Sequence, residues 1–475
     1  MTNLAIGLWC SLGLLVLIAL RIPIAIAMIL IAVFGIWQVQ GEFAAWFQLA
    51  GAPINNTTYG LSVIPLFILM GNLASQAGLS RDLYILASQV VGRIRGGLAL
   101  ATILACAGFS TLSGSSMATA ATIGKISIHE MSSRGYSPAV AAGTVAAGGT
   151  IGILIPPSVM LVVYGILTEQ SVRKLFAAGM VPGLLLTLCF MVTAWLWARL
   201  RPQAFQAPVA AGAAGTSGAS ASHAGAASDT SKANSLNASQ AKPNASQAEP
   251  SVPQAEPKVA LGGVLSLLVL VVIVLGGLYA GFFTATESAA VGAVGTLLIA
   301  LFYAGMRWRA LLDALIDTAS TSAMIFLIVI ASALYATFLT VTGLSQSLTG
   351  FVSGLDVAPV YVLLVILGIY VVLGCFMDSL GMILLTVPVF YPVILKLGVD
   401  PIHFGILVVM VVEMGLITPP LGMNIFVVRS VAPQIPLGRV FQGAMPYLLG
   451  FVVVTLLVLY WPALATWLPS VMHGS

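Results

Sequence analysis

The sequence predicts an all-α polytopic membrane protein built from two repeats in inverted orientation, each with one re-entrant helical hairpin and one discontinuous transmembrane helix. Three observations carry this. Of the 475 residues 59% are hydrophobic and 7% charged, where soluble chains approach a quarter charged. The apolar runs are about 20 residues long, as membrane spans require. Finally, Gly152 and Pro156-Pro157 recur 263 positions later as Gly415 and Pro419-Pro420, and Gly135 and Pro138 as Gly398 and Pro401.

The repeated stretch organises the rest. Gly148 to Ser158 reads Gly-Gly-Thr-Ile-Gly-Ile-Leu-Ile-Pro-Pro-Ser inside an apolar run. Two prolines and three glycines so close together cannot remain helical. A single proline kink repaired by neighbouring helices is the simpler account, but its echo at 413–424 favours paired breaks, the sequence mark of a secondary transporter's binding site.

In chain order, residues 1–77 are expected to give outer scaffold helices: spans at about 4–20 and 23–39 meeting at Arg21, a polar, aromatic-rich stretch from Gly41 to Tyr59, and a span from 61 to 77. The first run lacks a basic leader and is read as a retained helix, not a cleaved signal. Residues 78–96 read as an arm lying along the interface. Residues 97–167 hold hairpin 1, with its tip at Ser113-Gly114-Ser115-Ser116, and broken helix 1. The tip splits an apolar run flanked by basic residues at both ends, which favours entry and return over one long helix. Residues 168–201 supply a further scaffold helix, and 202–258, rich in Ala, Ser, Gln, Asn, Gly and Pro, a disordered cytoplasmic linker. The units NASQAKP, NASQAEP and SVPQAEP within it lack the apolar pair of a coiled-coil heptad. The plan then repeats: scaffold spans in 259–342, an arm at 343–357, hairpin 2 (tip Met377 to Gly381) and broken helix 2 in 358–428, and a last scaffold helix with a short tail in 429–475.

Five crossings per half invert the second repeat. Fifteen of the eighteen Lys and Arg residues then face the cytoplasm, all but Arg173, Lys174 and Lys396, so both termini are expected on the periplasmic side. The four cysteines and four histidines form no metal-ligand spacing. No P-loop, HExxH motif or acid dyad is present, His129 and His403 fall at helix ends, and an enzyme is not expected. Nothing in the chain points to nucleic acid. The tryptophans near helix ends read as an interfacial belt and Glu287 as a helix-start acid.

Hairpin tips and unwound helices at the midplane supply helix N-termini suited to an anion, and carbonyl and hydroxyl oxygens suited to Na⁺. No Lys or Arg lies at the breaks, leaving amides and hydroxyls to hold a carboxylate. Asp378 and Glu413 are the charged residues there; Asp378 serves equally as a helix cap, and the counterpart of Glu413 is the uncharged Thr150. A passive channel would also use re-entrant hairpins, and a stand-alone ion-coupled carboxylate symporter would use the same breaks.

Four motifs in order, Gly114 to Ala121 with Gly148 to Ser158, Gly281 to Glu287, Met377-Asp378-Ser379, and Thr418 to Asn424, together resemble the large membrane subunit (DctM type) of tripartite ATP-independent periplasmic (TRAP) transporters. The resemblance implies Na⁺-driven uptake of an organic acid, a C4-dicarboxylate, sialic acid or similar carboxylate, by an elevator motion in the bacterial inner membrane. It implies two partners, a periplasmic substrate-binding protein and a small four-helix membrane subunit. It places one Na⁺ at Ser113, Ser115, Gly152, Ile155 and Pro157 and a second at Gly415, Thr418 and Asp378, with Ser116, Thr119, Ser379 and Asn424 toward substrate. The long linker departs from the family's short connection.

Overall fold

The computed structural model describes residues 2–56, 58–205, 261–355 and 357–472, and the described residues form twenty α-helices joined by short turns. Most of the expected linker, 206–258, lies outside the described residues. The opening helices are α1 (Asn3–Ala19), α2 (Ile24–Gln40), α3 (Glu42–Asn56) and α4 (Val63–Gln76), followed by the arm α5 (Leu79–Val91), which starts at the left-handed Gly78. Hairpin 1 is α6 (Gly97–Ser113) and α7 (Ser116–Ser133). Broken helix 1 is α8 (Pro138–Thr150) and α9 (Val159–Leu167), and α10 (Val172–Leu200) closes the half.

The second half gives α11 (Leu261–Tyr279), α12 (Ala285–Leu298) and α13 (Trp308–Val341), then the arm α14 (Leu344–Ser353), which starts at the left-handed Gly343. Hairpin 2 is α15 (Pro359–Gly374) and α16 (Ser379–Lys396); broken helix 2 is α17 (Pro401–Gly415) and α18 (Met423–Val431); α19 (Leu437–Tyr460) and α20 (Ala463–Val471) end the chain. Both ends of α16 lie 263 positions after those of α7, so the spacing read from the glycines and prolines holds for whole elements.

Local chemistry fixes the boundaries. Gly114, at φ 56°, ends α6, and extended Ser115 caps α7 by accepting the Ala118 N–H at 3.4 Å. Ser137 and Asp400 cap α8 and α17, each followed by proline in the first turn, where its missing N–H costs nothing. Both hairpins turn back on themselves. The Leu98 N–H at the start of α6 donates to Tyr136 Oη just past the end of α7, at 3.3 Å. In hairpin 2 the hydroxyls of Tyr370 and Thr386, eight residues either side of Asp378, meet at 2.6 Å.

The halves interlock. α9 packs on α16 and α17, and α18 on α7 and α8. The last long helix, α19, lies against α8 so closely that a Cβ on Gly443 would stand 1.7 Å from the Ala139 carbonyl oxygen. Small residues allow such approach where lipid gives helices no hydrophobic reason to associate. By the same relation α10 packs on α9 and α17. The sequence groups α10 and α19 with the outer helices; their packing corrects this and joins them to the hairpins and broken helices as one inner bundle, because their small-residue faces fit the broken helices. The outer layer is α1 to α4 with α11 to α13.

Further departures have simple causes. Gly41–Tyr59 is largely helical: α3 carries Pro53 within it and leaves Phe43 and Phe47, one turn apart, 85% and 66% exposed. An amphipathic surface helix has too few apolar residues to read as a span. α13 begins at Trp308, well before its apolar part, because Arg309, Asp313 and Asp317 share one exposed face and extend the helix. Pro202–Phe205 form an ordered 3₁₀ turn, with Phe205 buried edge-on to Tyr136 and Trp197, and the tail contains α20.

Candidate functional site

The first break and the first hairpin tip meet backbone to backbone. A Cβ on Gly114 would lie 2.8 Å from the Pro157 carbonyl oxygen, so only glycine turns the tip there. A Cβ on Gly152 would lie 3.2 Å from Thr119 Oγ1 and 3.4 Å from the Ser115 carbonyl oxygen. The Ser113 and Thr119 hydroxyls are 2.7 Å apart, and Ser113 Oγ is 3.5 Å from the Ser115 carbonyl oxygen. Ser113, Ser115, Thr119 and Gly152 thus surround one small volume rich in neutral oxygens, with Pro157 beside the tip. Thr119, expected toward substrate, is instead bonded into this set. The Ile155 side chain turns to α10, its Cγ1 2.9 Å from where a Gly183 Cβ would sit.

The second break is built differently. Asp378 caps α16 by accepting the Gly381 N–H at 2.9 Å, which occupies the carboxylate locally. Gly415 packs against Gly374 at the end of α15, a Cβ there falling 2.8 Å from the Gly374 Cα, and the Thr418 hydroxyl donates to the Met414 carbonyl at 2.7 Å. The Thr418 N–H donates to the Gly415 carbonyl at 3.1 Å, but no hydrogen bond joins Asp378 to either, so the expected trio is not brought together. The Asn424 N–H donates to the Leu416 carbonyl at 3.1 Å, while both polar atoms of its wholly buried amide have no hydrogen-bond partner. Ser379 Oγ lies 3.4 Å from Glu413 Oε1.

Between the tips opens a cavity of about 400 Å³, lined by Ser113 to Ala118 from tip 1, Asp378 to Leu380 from tip 2, and Asn72 and Thr321 from the outer helices. Ser116 and Ser379, both expected toward substrate, line it; Asn424 does not. No lysine or arginine lines it. Helix N-termini are therefore what can offer positive charge to a solute there. The N-terminus of α16 is already met by the Asp378 carboxylate, whereas that of α7 carries only the neutral Ser115 cap, so the free dipole end is at Ser116 and Met117. Asn72 and Thr321 were missed because nothing in a single sequence marks which face of an outer helix meets the bundle.

Paired hairpins and paired interrupted helices around such a cavity define the class: an inverted-repeat membrane transporter. The family follows from comparison. The family model for the tripartite ATP-independent periplasmic transporter, DctM component, matches residues 12–464, and the chain belongs to that family, whose members are permeases and not enzymes. It is 38% identical over 413 residues to the C4-dicarboxylate TRAP transporter large permease protein DctM of Pseudomonas aeruginosa, covering 87% of this chain and 86% of that one. It is 31% identical over 434 residues to the sialic acid TRAP transporter large permease protein SiaM of Vibrio cholerae (91% and 90%), and 32% identical over 418 residues to the isethionate TRAP transporter permease protein DctMQ of Oleidesulfovibrio alaskensis (88% and 59%). Among solved structures, the YdaH transporter of Alcanivorax borkumensis shares the fold at TM-score 0.56 and 16% identity, covering 89% of each chain. MtrF of Neisseria gonorrhoeae does so at TM-score 0.57 and 12% identity, covering 89% of this chain and 85% of that one.

Proposed function

We propose that the chain is the large permease of a three-part uptake system in the bacterial inner membrane. It takes a small organic anion from a periplasmic binding protein, braced by a small membrane subunit and driven by Na⁺, with both termini periplasmic. The observation that carries this reading is the cavity between the hairpin tips, with an uncompensated helix N-terminus and hydroxyls in place of formal cations. The three relatives are named for C4-dicarboxylate, sialic acid and isethionate; all three solutes are acids, which supports the charge class and leaves the individual solute open.

Transport is an elevator motion of the inner bundle, α10 and α19 included, against the outer helices. Asymmetry between the repeats supports this. Tip 1 abuts α4 at Gly71, where a Cβ would lie 2.8 Å from the Ser113 Cα. Tip 2 shares the cavity with Thr321, Met324 and Ile325 of α13, and its Gly381 abuts Ile24 at the start of α2. Aligning Gly78 with Gly343, the counterpart of Gly71 is Ala336, 11 to 15 residues further along α13 than the positions tip 2 now meets. At 1.5 Å per helical residue the bundle stands displaced, and exchanging the repeats' positions carries it about 16–22 Å. In the orientation given by the basic residues, the present displacement is toward the cytoplasm.

Reconstitution of the chain with its membrane partner and binding protein in proteoliposomes tests the function. Radiolabelled acids of the three kinds should accumulate only with an inward Na⁺ gradient and the loaded binding protein. Equal uptake without either one refutes the corresponding part.

A further inference from the structure

Glu413 is the observation. It lies near the end of α17, wholly buried, and the one ion pair among the described residues is Arg134 with Glu130, so no side-chain cation faces it. Its Oε2 has no hydrogen-bond partner, and its Oε1 stands 3.4 Å from Ser379 Oγ, beyond the 2.5–3.0 Å of an ordinary O–H···O bond. Ser116, from the opposite hairpin tip, is close enough to interact with the carboxylate, yet its buried Oγ makes no hydrogen bond of good geometry. A buried acid in a membrane protein with such loosely arranged neighbours is costly unless something neutralises it.

The spacing fits a cation better than a hydrogen bond. Two oxygens at right angles around a hard cation with metal–oxygen distances of about 2.4 Å stand about 3.4 Å apart. We propose that Glu413, Ser379 and Ser116 form a Na⁺ site directly behind the wall of the substrate cavity, separate from the oxygens around Gly152 and from the Gly415–Thr418 turn. The proposal rests on the Na⁺-coupled reading above and adds how the ion acts on the substrate.

Ser116 and Ser379 are the two residues that face both ways: their oxygens neighbour Glu413, and both line the cavity. A cation holding their lone pairs turns their O–H groups outward, as donors to an arriving carboxylate. The same ion cancels the Glu413 charge that otherwise repels an anion. Ion first and solute second is the order this imposes, and the ion leaves when the solute no longer benefits from it.

The test is equilibrium binding of ²²Na⁺ to the purified full-length chain, with K⁺ as competitor, for wild type, Glu413→Gln, Ser379→Ala and Ser115→Ala. Glu413→Gln should lose one Na⁺ relative to wild type, Ser379→Ala should weaken one site at least tenfold, and Ser115→Ala should weaken a different one, all without K⁺ displacing the ion. Wild-type stoichiometry and affinity in monodisperse Glu413→Gln overturns the proposal while leaving Na⁺ coupling intact. If Glu413→Gln does not fold, unchanged binding in Ser379→Ala overturns it instead. A wild-type chain that binds no Na⁺ overturns the coupled reading itself, and this site with it.

Discussion

Replacing Gly152 with alanine separates the geometry of the proposed cation site from the fold. The added methyl carbon would stand 3.2 Å from Thr119 Oγ1, 3.3 Å from Ser110 Cβ and 3.4 Å from the Ser115 carbonyl oxygen. Each contact is tight by a few tenths of an ångström, and none is with an immovable backbone at clash distance, so the helix break survives. The backbone there is right-handed, which alanine adopts freely. What suffers is the volume the methyl enters, the space shared by the oxygens of Ser113, Ser115 and Thr119. Overpacking of this kind costs about 1–3 kcal/mol. Directed against a bound ion, that corresponds to roughly a 5- to 150-fold loss of affinity. Na⁺-dependence of uptake in proteoliposomes measures it: half-saturation should move to higher Na⁺ at least fivefold, with normal abundance and monodispersity. Wild-type half-saturation at equal abundance would falsify the assignment of these oxygens to an ion.

Three further outcomes follow from the packing. Gly443→Ala places a methyl 1.7 Å from the Ala139 carbonyl, a contact no rotamer relieves, so the chain should be depleted from the membrane; normal abundance with a folded size-exclusion profile contradicts the close α8–α19 contact. Asp378→Asn should melt within about 0.5 kcal/mol of wild type because asparagine caps as well as aspartate, whereas Asp378→Ala should lose about 1 kcal/mol; equal losses in the two indicate a role for the charge rather than the cap. Ser75 and Thr122 face each other across α4 and α7, with hydroxyls 3.2 Å apart. Cysteines at the two positions should cross-link on oxidation and stop uptake until reduced, and full uptake in the cross-linked protein shows that the bundle need not move.

Much of the architecture was legible because glycine and proline have no side-chain-dependent alternative at a helix break: Gly152, Pro156, Gly415 and Pro419 announce the interruptions and their spacing announces the repeat. Basic flanks foretold that the apolar run around tip 1 turns back on itself, and the Leu98–Tyr136 contact shows its two ends together. What stayed hidden depended on neighbours. A uniformly apolar helix such as α10 carries no mark of whether it faces lipid, scaffold or bundle, and close packing at Gly143 and Gly443 reads in sequence as two ordinary glycines. Thr119 sits one turn past the tip, equally able to face the cavity or Ser113, and only the folded chain shows its hydroxyl 2.7 Å from that of Ser113. Glu413 was conspicuous as an acid in an apolar run, but its lack of a partner is a property of the packed structure.

Displacement of the bundle is tested most directly by its other position. In this structure Leu380 of tip 2 lines the cavity with Thr321 and Ile325, while Ala336 lines a separate cavity of about 790 Å³ bordered by Gln170 and Tyr391. Cysteines at 336 and 380, in an otherwise cysteine-free chain with full uptake, should cross-link while the transporter is cycling with Na⁺, solute and binding protein, and the cross-linked protein should cease transport. Failure to cross-link under turnover, with efficient cross-linking of 321 to 380 throughout, contradicts a bundle that travels past the outer helices.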